Sequence, residues 1–424
     1  MHLVWTRCGA GVAEAVTSLR TVRGPREVLM PSSTKQPITA DLIDLGQPLP
    51  VDVYDSRDRL LLRQGAVVSS AAQLERLLKD GLYGDAAQVA ALIERRAPAA
   101  RPQATLPSYA ATRIRVTAVL ADVKHALQSL LADPPATGLA QRLAPLVATL
   151  QRAVVLDADA ALGQIALDRS ATPAVRHMVN CGVMVAALLL RRAASAAETK
   201  ATIAAALTMN LTSTALQDEL YGQAGAPDAA QQAVIQTHPT AARERLRALG
   251  VEDANWLLAV EQHHELFDGS GYPAQRAGEA ICLGARLLSL ADQVCALLAE
   301  RAYREPVNAV SIMRKLREAP PRTLDPVLCA ALTELMTPYP PGSAVRLVTD
   351  DYAVVSRRTR QATAPTVMVF VTRMRQRLEQ PRKKLTGNEL IAIAEPIAFG
   401  QIKPPPRPDE VWDEVLEPAE HRLP

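Results

Sequence analysis

The chain has 424 residues, more than one ordinary domain needs and enough for two or three. Hydrophobic residues make up 48% of it and aromatics 3%, so a sizeable core can form, while a formal net charge of +3 gives no reason to expect nucleic acid as a partner. The cysteines Cys8, Cys181, Cys282, Cys295 and Cys329 lack CxxC spacing and read as buried small hydrophobes in a reducing, cytoplasmic compartment.

Residues 1–37 read as a disordered or spurious extension, with Met30 as the biological start. The opening MHLVWTRCGAGVAEAVTSLR lacks the positive, apolar and small-residue order of a cleaved leader. No window reaches 18 uncharged apolar residues, so no membrane span is expected. Residues 38–84 predict a small α/β module. PLPVDVYD and LLLRQG are strands about a turn at 56–58, and Ser69 or Ser70 caps the helix AAQLERLLKDGLY. The proline-bearing stretch 85–109 reads as a linker.

From 110 to 337 apolar residues recur at three and four positions, as in VTAVLADVKHALQSLLADP and VRHMVNCGVMVAALLLRR, which predicts an all-helical domain. Asp325 and Pro326 suit the cap and first residue of one of its helices. Residues 338–385 carry short β-rich runs and predict a small β appendage, and the proline- and acid-rich residues 386–424 a flexible tail. The predicted fold class is therefore mainly α. Arg357, Arg358 and Arg360 read as a solvated loop, and the basic run 373–384 lacks the interleaved aromatics of a nucleic-acid site.

Of the seven histidines, His177, His238, His263 and His264 lie in the helical stretch, and Asp292 follows them. Imidazoles and carboxylates are the usual ligands of Zn, Fe and Mn. Paired histidines at a helix end can share one ion where the chain turns, and Asp268-Gly269 and Gly271-Tyr272-Pro273 supply turn residues. Glu265 and Asp268 suit acid–base work or, by preference, anchoring of that turn. Tyr272 suits contact with a base or partner as well as it suits packing.

The segment HHELFDGSGYP at 263–273 resembles the signature HHExxDGxGYP of the bacterial HD-GYP family, and the resemblance extends over 110–337. It implies an HD-type helical hydrolase of cyclic di-GMP in signal transduction, with two or three metal ions, usually iron or manganese. ITADLIDLGQPLPVDVYDSRDRLLLRQG is similar to the N-terminal module of some members, and YPPGSAVRL to the segment after the helical domain. By this resemblance His177, His238, His263, His264 and Asp292 stand at metal ligands. Arg301, Arg304 and Tyr272 stand at substrate-binding positions, and Glu265, Asp268, Gly269, Gly271, Tyr272 and Pro273 form the signature loop.

The central motif departs from the family. Where members read approximately ALLHDIGK, this chain reads ALTMNLTS. Asn210 lies 33 residues after His177 and 28 before His238, so Met209, Asn210 and Ser213 replace the histidine, aspartate and lysine. Pro173 stands where some members have a glutamate. In the family the aspartate bridges two ions. A carboxamide ligates transition metals weakly, and a thioether suits Fe or Mn poorly. One metal position then keeps His177 and Asp292, and the other keeps three histidines. A single ion (Fe, Mn or Zn) is expected, not a binuclear centre. The favoured expectation is a degenerate sensor or scaffold that binds cyclic di-GMP, a related nucleotide, or a protein through the signature loop. The alternatives are a slow phosphodiesterase with a mononuclear site and a purely structural role.

Overall fold

The computed structural model describes residues 35–38, 42–79, 82–96, 115–302, 304 and 306–412. The chain forms two units, residues 1–108 and 109–424, each described by itself. The proposed start at Met30 and most of the expected linker lie outside the described residues.

The first unit contains β1 (Lys35–Pro37), β2 (Val53–Tyr54), β3 (Leu60–Leu62), α1 (Ala71–Lys79), β4 (Tyr83–Asp85) and α2 (Ala86–Arg96). Its sheet has the order β1-β4-β2-β3, and each paired strand runs antiparallel. Ile38, Val51, Val53, Val68, Leu82 and Val89 form its core. Asp55 accepts from the backbone of Arg57 and Arg59, at 2.9 and 3.0 Å, and closes the turn between β2 and β3. Two expectations change here. Residues 35–37, read as part of the extension, form a strand. Residues 86–96, read as linker, form α2, whose start is capped by the Asp85 carboxylate.

The second unit is built from α3 (Val116–Ala132), α4 (Leu139–Leu156), α5 (Ala158–Leu167), α6 (Pro173–Arg191), α7 (Ala196–Thr208), α8 (Thr214–Gly222), α9 (Ala229–Ala248), α10 (Ala254–Gln262), α11 (Leu283–Leu298), α12 (Ala309–Glu318) and α13 (Pro326–Met336). Helix α6 is the axis. It packs against α4, α5, α7 and α11, and its buried residues run from Ala174 to Leu189. It is long and apolar enough to cross a membrane, but 78% of that window is buried inside the domain, as in the core helix of a bundle. Asp157, Ser195, Asp228, Asp253, Asn308 and Asp325 accept first-turn amide protons and fix where their helices begin.

The chain then forms β5 (Ala344–Leu347), β6 (Tyr352–Arg357), β7 (Thr366–Val371), β8 (Arg377–Leu385), β9 (Ile393–Pro396) and the single turn α14 (Pro408–Val411). The sheet order is β8-β7-β6-β5-β9, antiparallel throughout. The described part of the expected flexible tail is ordered. β9 pairs with β5, and Trp412 is buried with its indole N–H donating to Ser356 O at 2.8 Å. The arginine cluster is likewise no open loop. Arg357 pairs with Asp157, and Arg358 with Asp159 and the Leu335 carbonyl, joining the sheet to α5 and α13. Only Arg360 of the three is exposed. In the basic run, Arg377 binds Pro404 O and Glu410 and Lys384 binds Asp351, so both serve as struts of β8.

Candidate functional site

The signature loop is held by its own backbone chemistry. Glu265 is buried, and its two carboxylate oxygens accept from the amides of Ala274 at 2.7 Å and Arg276 at 2.8 Å. Asp268 accepts from the Ser270 amide and hydroxyl, at 3.0 and 2.6 Å. Both act as turn anchors here. A Cβ at Gly271 would lie 2.3 Å from Leu266 N and 2.4 Å from His264 O, so only glycine lets the chain fold back over the histidine pair. The Tyr272 amide then donates to His264 O at 3.1 Å, and its ring stacks on His264 with centroids 4.9 Å apart. Burial pushes the Tyr272 hydroxyl upward, and that hydroxyl is buried without a hydrogen-bond partner.

The fold back brings three imidazoles together. His238 comes from α9 and His263 from the end of α10, and His264 follows it. Their ligand nitrogens lie within 4.8 Å of one another. The Nδ1 of His238 donates to Ile235 O at 2.7 Å, and the Nδ1 of His263 donates to Val260 O at 2.6 Å. With Nδ1 carrying the proton on both rings, the Nε2 atoms present bare lone pairs, and these face each other at 3.3 Å. Two such lone pairs repel unless a proton or cation lies between them. Burial, and then the charge of neighbouring His263, push His238 down to about 3, which disfavours a proton. Burial also lowers His263 and His264. Nitrogens about 2.0–2.1 Å from a tetrahedral ion sit ~3.3 Å apart. The set therefore fits one divalent cation.

A second cluster lies between α6 and α11. His177 Nε2 is 2.7 Å from Asp292 Oδ1 and 3.6 Å from Cys181 Sγ. Burial alone would raise the Asp292 carboxyl. The hydrogen bond from His177, with the attraction of that imidazole, outweighs burial and holds the carboxyl well below the usual carboxylate range. Cys181 had no place among the sequence candidates. Its only signal is the spacing of four from His177, which on a helix means one face but on an apolar helix also means core.

The altered motif follows α7, and Thr212 within it donates to His238 O at 3.3 Å. Met209 ends α7, wholly buried in the hydrophobic core. Asn210 is 1% exposed, and its carboxamide oxygen has no hydrogen-bond partner. Ser213 is also buried, with its hydroxyl donating to Asn210 O at 3.4 Å. Arg301 lines a cleft together with His177, Arg169, Arg176, Tyr221 and Cys295. Arg304 donates to Ala296 O at 2.7 Å and so serves the last turn of α11. Pro173 occupies the first position of α6, at the rim of the same cleft.

Convergent imidazoles and a carboxylate inside a helical bundle define a class, that of helical domains able to hold divalent metal. Residues 132–328 match the family model described as HD domain. A cyclic di-GMP phosphodiesterase of Pseudomonas aeruginosa is 35% identical over 109 residues, 26% of this chain and 26% of that protein. The 3'3'-cGAMP-specific phosphodiesterase 2 of Vibrio cholerae is 32% identical over 123 residues, 28% of this chain and 23% of that protein. The chain thus spans about a quarter of the length of these curated relatives. Among solved structures, an HDG"Y"P protein from Bdellovibrio bacteriovorus aligns with a TM-score of 0.45 at 15% identity, covering 71% of this chain and 99% of that one. Residues 132–328 of the helical unit thus form an HD domain that is similar in sequence to cyclic-dinucleotide phosphodiesterases.

Proposed function

We propose that this protein works in cyclic-dinucleotide signalling as a sensor or scaffold that binds a nucleotide or a protein partner, with phosphodiester hydrolysis lost or strongly reduced. One observation carries this reading. Position 210, where the resemblance calls for a bridging carboxylate, holds a buried, uncharged carboxamide, while the three-histidine cluster beside the signature loop is complete. His238, His263 and His264 would hold a single Fe, Mn or Zn ion. Such an ion, when bound, polarises a phosphoryl oxygen or lowers the pKa of a bound water.

The chain's own groups do the rest. Glu265 and Gly271 fix the loop, and Tyr272 covers His264. Arg301, with Arg169 and Arg176, gives the cleft a positive wall suited to phosphate oxygens. Without a charge at position 210, a hard second ion bridged to the first, and the nucleophile such a pair would help to form, lose their support. A deficit of roughly 4 kcal/mol corresponds to about three orders of magnitude in rate. Calorimetric titration of the full chain with cyclic di-GMP and with 3'3'-cGAMP, beside hydrolysis assays in Mn2+ and Fe2+, tests the reading. Binding without turnover is expected, and brisk turnover by the unmodified chain overturns it. The bare nitrogens of His238 and His263 favour a second reading, slow hydrolysis at a mononuclear site. Turnover that is weak but lost in His263→Ala would select it.

A further inference from the structure

We propose that Cys181 is a metal ligand, and that with His177 and Asp292 it forms a thiolate-containing site for a borderline cation such as Zn2+. This is separate from the three-histidine ion and does not rest on it.

The geometry begins on α6. His177 and Cys181 are four residues apart and present their ligand atoms on one helical face, with Sγ 3.6 Å from Nε2. From the facing helix α11, Asp292 brings its carboxylate to the same imidazole nitrogen at 2.7 Å. All three ligand atoms lie within 4.8 Å of one another. Cys295, three residues after Asp292 on α11, places its thiol against that of Cys181 and lines the cleft beside His177. Nitrogen, oxygen and sulfur make a three-ligand set that leaves tetrahedral Zn2+ its fourth position for water.

Cys181 is wholly buried, yet it meets an imidazole, a carboxylate and a second thiol rather than hydrocarbon alone. A structural cysteine of an apolar core has no need of such neighbours. His177 and Asp292 keep part of their side chains open, 11% and 21% exposed, so an ion can enter from the cleft. The altered motif fits this chemistry. A hard-ion site that lacks the carboxylate at position 210 and gains sulfur becomes selective for softer cations.

Cobalt substitution of the metal-stripped full chain tests the site. The unmodified protein should take up two equivalents of Co2+, one of them giving an intense thiolate-to-cobalt charge-transfer band in the near ultraviolet. Cys181→Ser should abolish the band and one equivalent. His263→Ala should remove one equivalent and leave the band, which separates failure here from failure of the three-histidine ion. A cobalt-loaded unmodified chain without a thiolate band overturns the proposal whatever the variants do. So does a band that survives Cys181→Ser. Should that variant not fold, Asp292→Asn must abolish or shift the band, and an unchanged spectrum overturns the proposal.

Discussion

Under the function proposed above, the missing charge at position 210 decides whether the pocket holds a pair of hard cations. The Asn210 carboxamide is buried and its oxygen lacks a partner, so a carboxylate placed there by Asn210→Asp has nothing to neutralise it until metal arrives. An uncompensated buried charge costs about 3–5 kcal/mol. The variant should therefore melt earlier than the native chain in chelator, recover in Mn2+ or Fe2+, and carry more manganese or iron per chain by elemental analysis. Adding Met209→His should bring measurable turnover of cyclic di-GMP. If ion content does not change, position 210 does not face the metal. Gly271 makes a second case. A methyl group there collides with backbone atoms of Leu266 and His264, which cannot step aside as a side-chain tip could. Gly271→Ala should cost about 1–3 kcal/mol in chemical denaturation and lower the affinity of the three-histidine site, because the loop that seats Tyr272 on His264 is pushed away. A variant with native stability and native ion content would show that the loop has room to shift.

Between elements, Lys124 on α3 and Asp168 at the end of α5 form a buried ion pair. Lys124 is completely enclosed, while Asp168 also accepts from the Ser170 amide and hydroxyl. Burial would raise the Asp168 carboxyl, but the charge and hydrogen bond of Lys124 and the bonds from Ser170 hold it below its ordinary value. The sign follows from linkage. Asp168 contributes stability that is present above about pH 3.9 and is lost as pH falls through its lower folded value. Asp168→Asn strands the lysine and should cost about 3–5 kcal/mol at neutral pH, whereas Lys124→Met, which removes the charge but keeps the bulk, should cost less. The asparagine variant should also lose the acid step of the native stability profile, and a step of unchanged size would assign it to another carboxylate. Which elements could be read from sequence follows the same division between local and distant causes. Helix periodicity, the Asp325 cap and the Glu265 anchor are written within a few residues of one another, so the helical domain and the signature loop were legible. Helix α2 was obscured by the prolines that follow it. The carboxylate partners of Arg357 and Arg358 lie about two hundred residues away, at the start of α5, and no local pattern could announce them. Cys181 sits on a helix so apolar that a ligand and a core residue look alike.

Over the whole second unit, the C-terminal strand and turn are part of the body that carries the site. β9 extends the sheet by pairing Val345 with Pro396 and Leu347 with Ile393, and Asn308, the cap of α12, donates to Ile397 O at 2.8 Å. Trp412 closes over α5. A Cβ at Gly163 would stand 2.2 Å from its ring, so the indole packs directly on the helix backbone, and its N–H binds Ser356 O. Helix α5 in turn packs against α6, which carries His177 and Cys181. Loss of the indole alone, in Trp412→Ala, should cost about 3–5 kcal/mol by removing a large buried side chain from a site that backbone atoms line and that cannot collapse around the void. A chain ending at Leu385 loses the indole, the β9 ladder and the Asn308 bond together, and it leaves β5 as an open edge prone to association. It should unfold at a lower temperature than Trp412→Ala, show more aggregation on heating, and hold the cobalt of the α6–α11 cluster less tightly than the full chain. Calorimetry on the three proteins orders these effects. A truncated chain that melts with the full-length protein would mean that residues 386–412 rest on the domain without stabilising it.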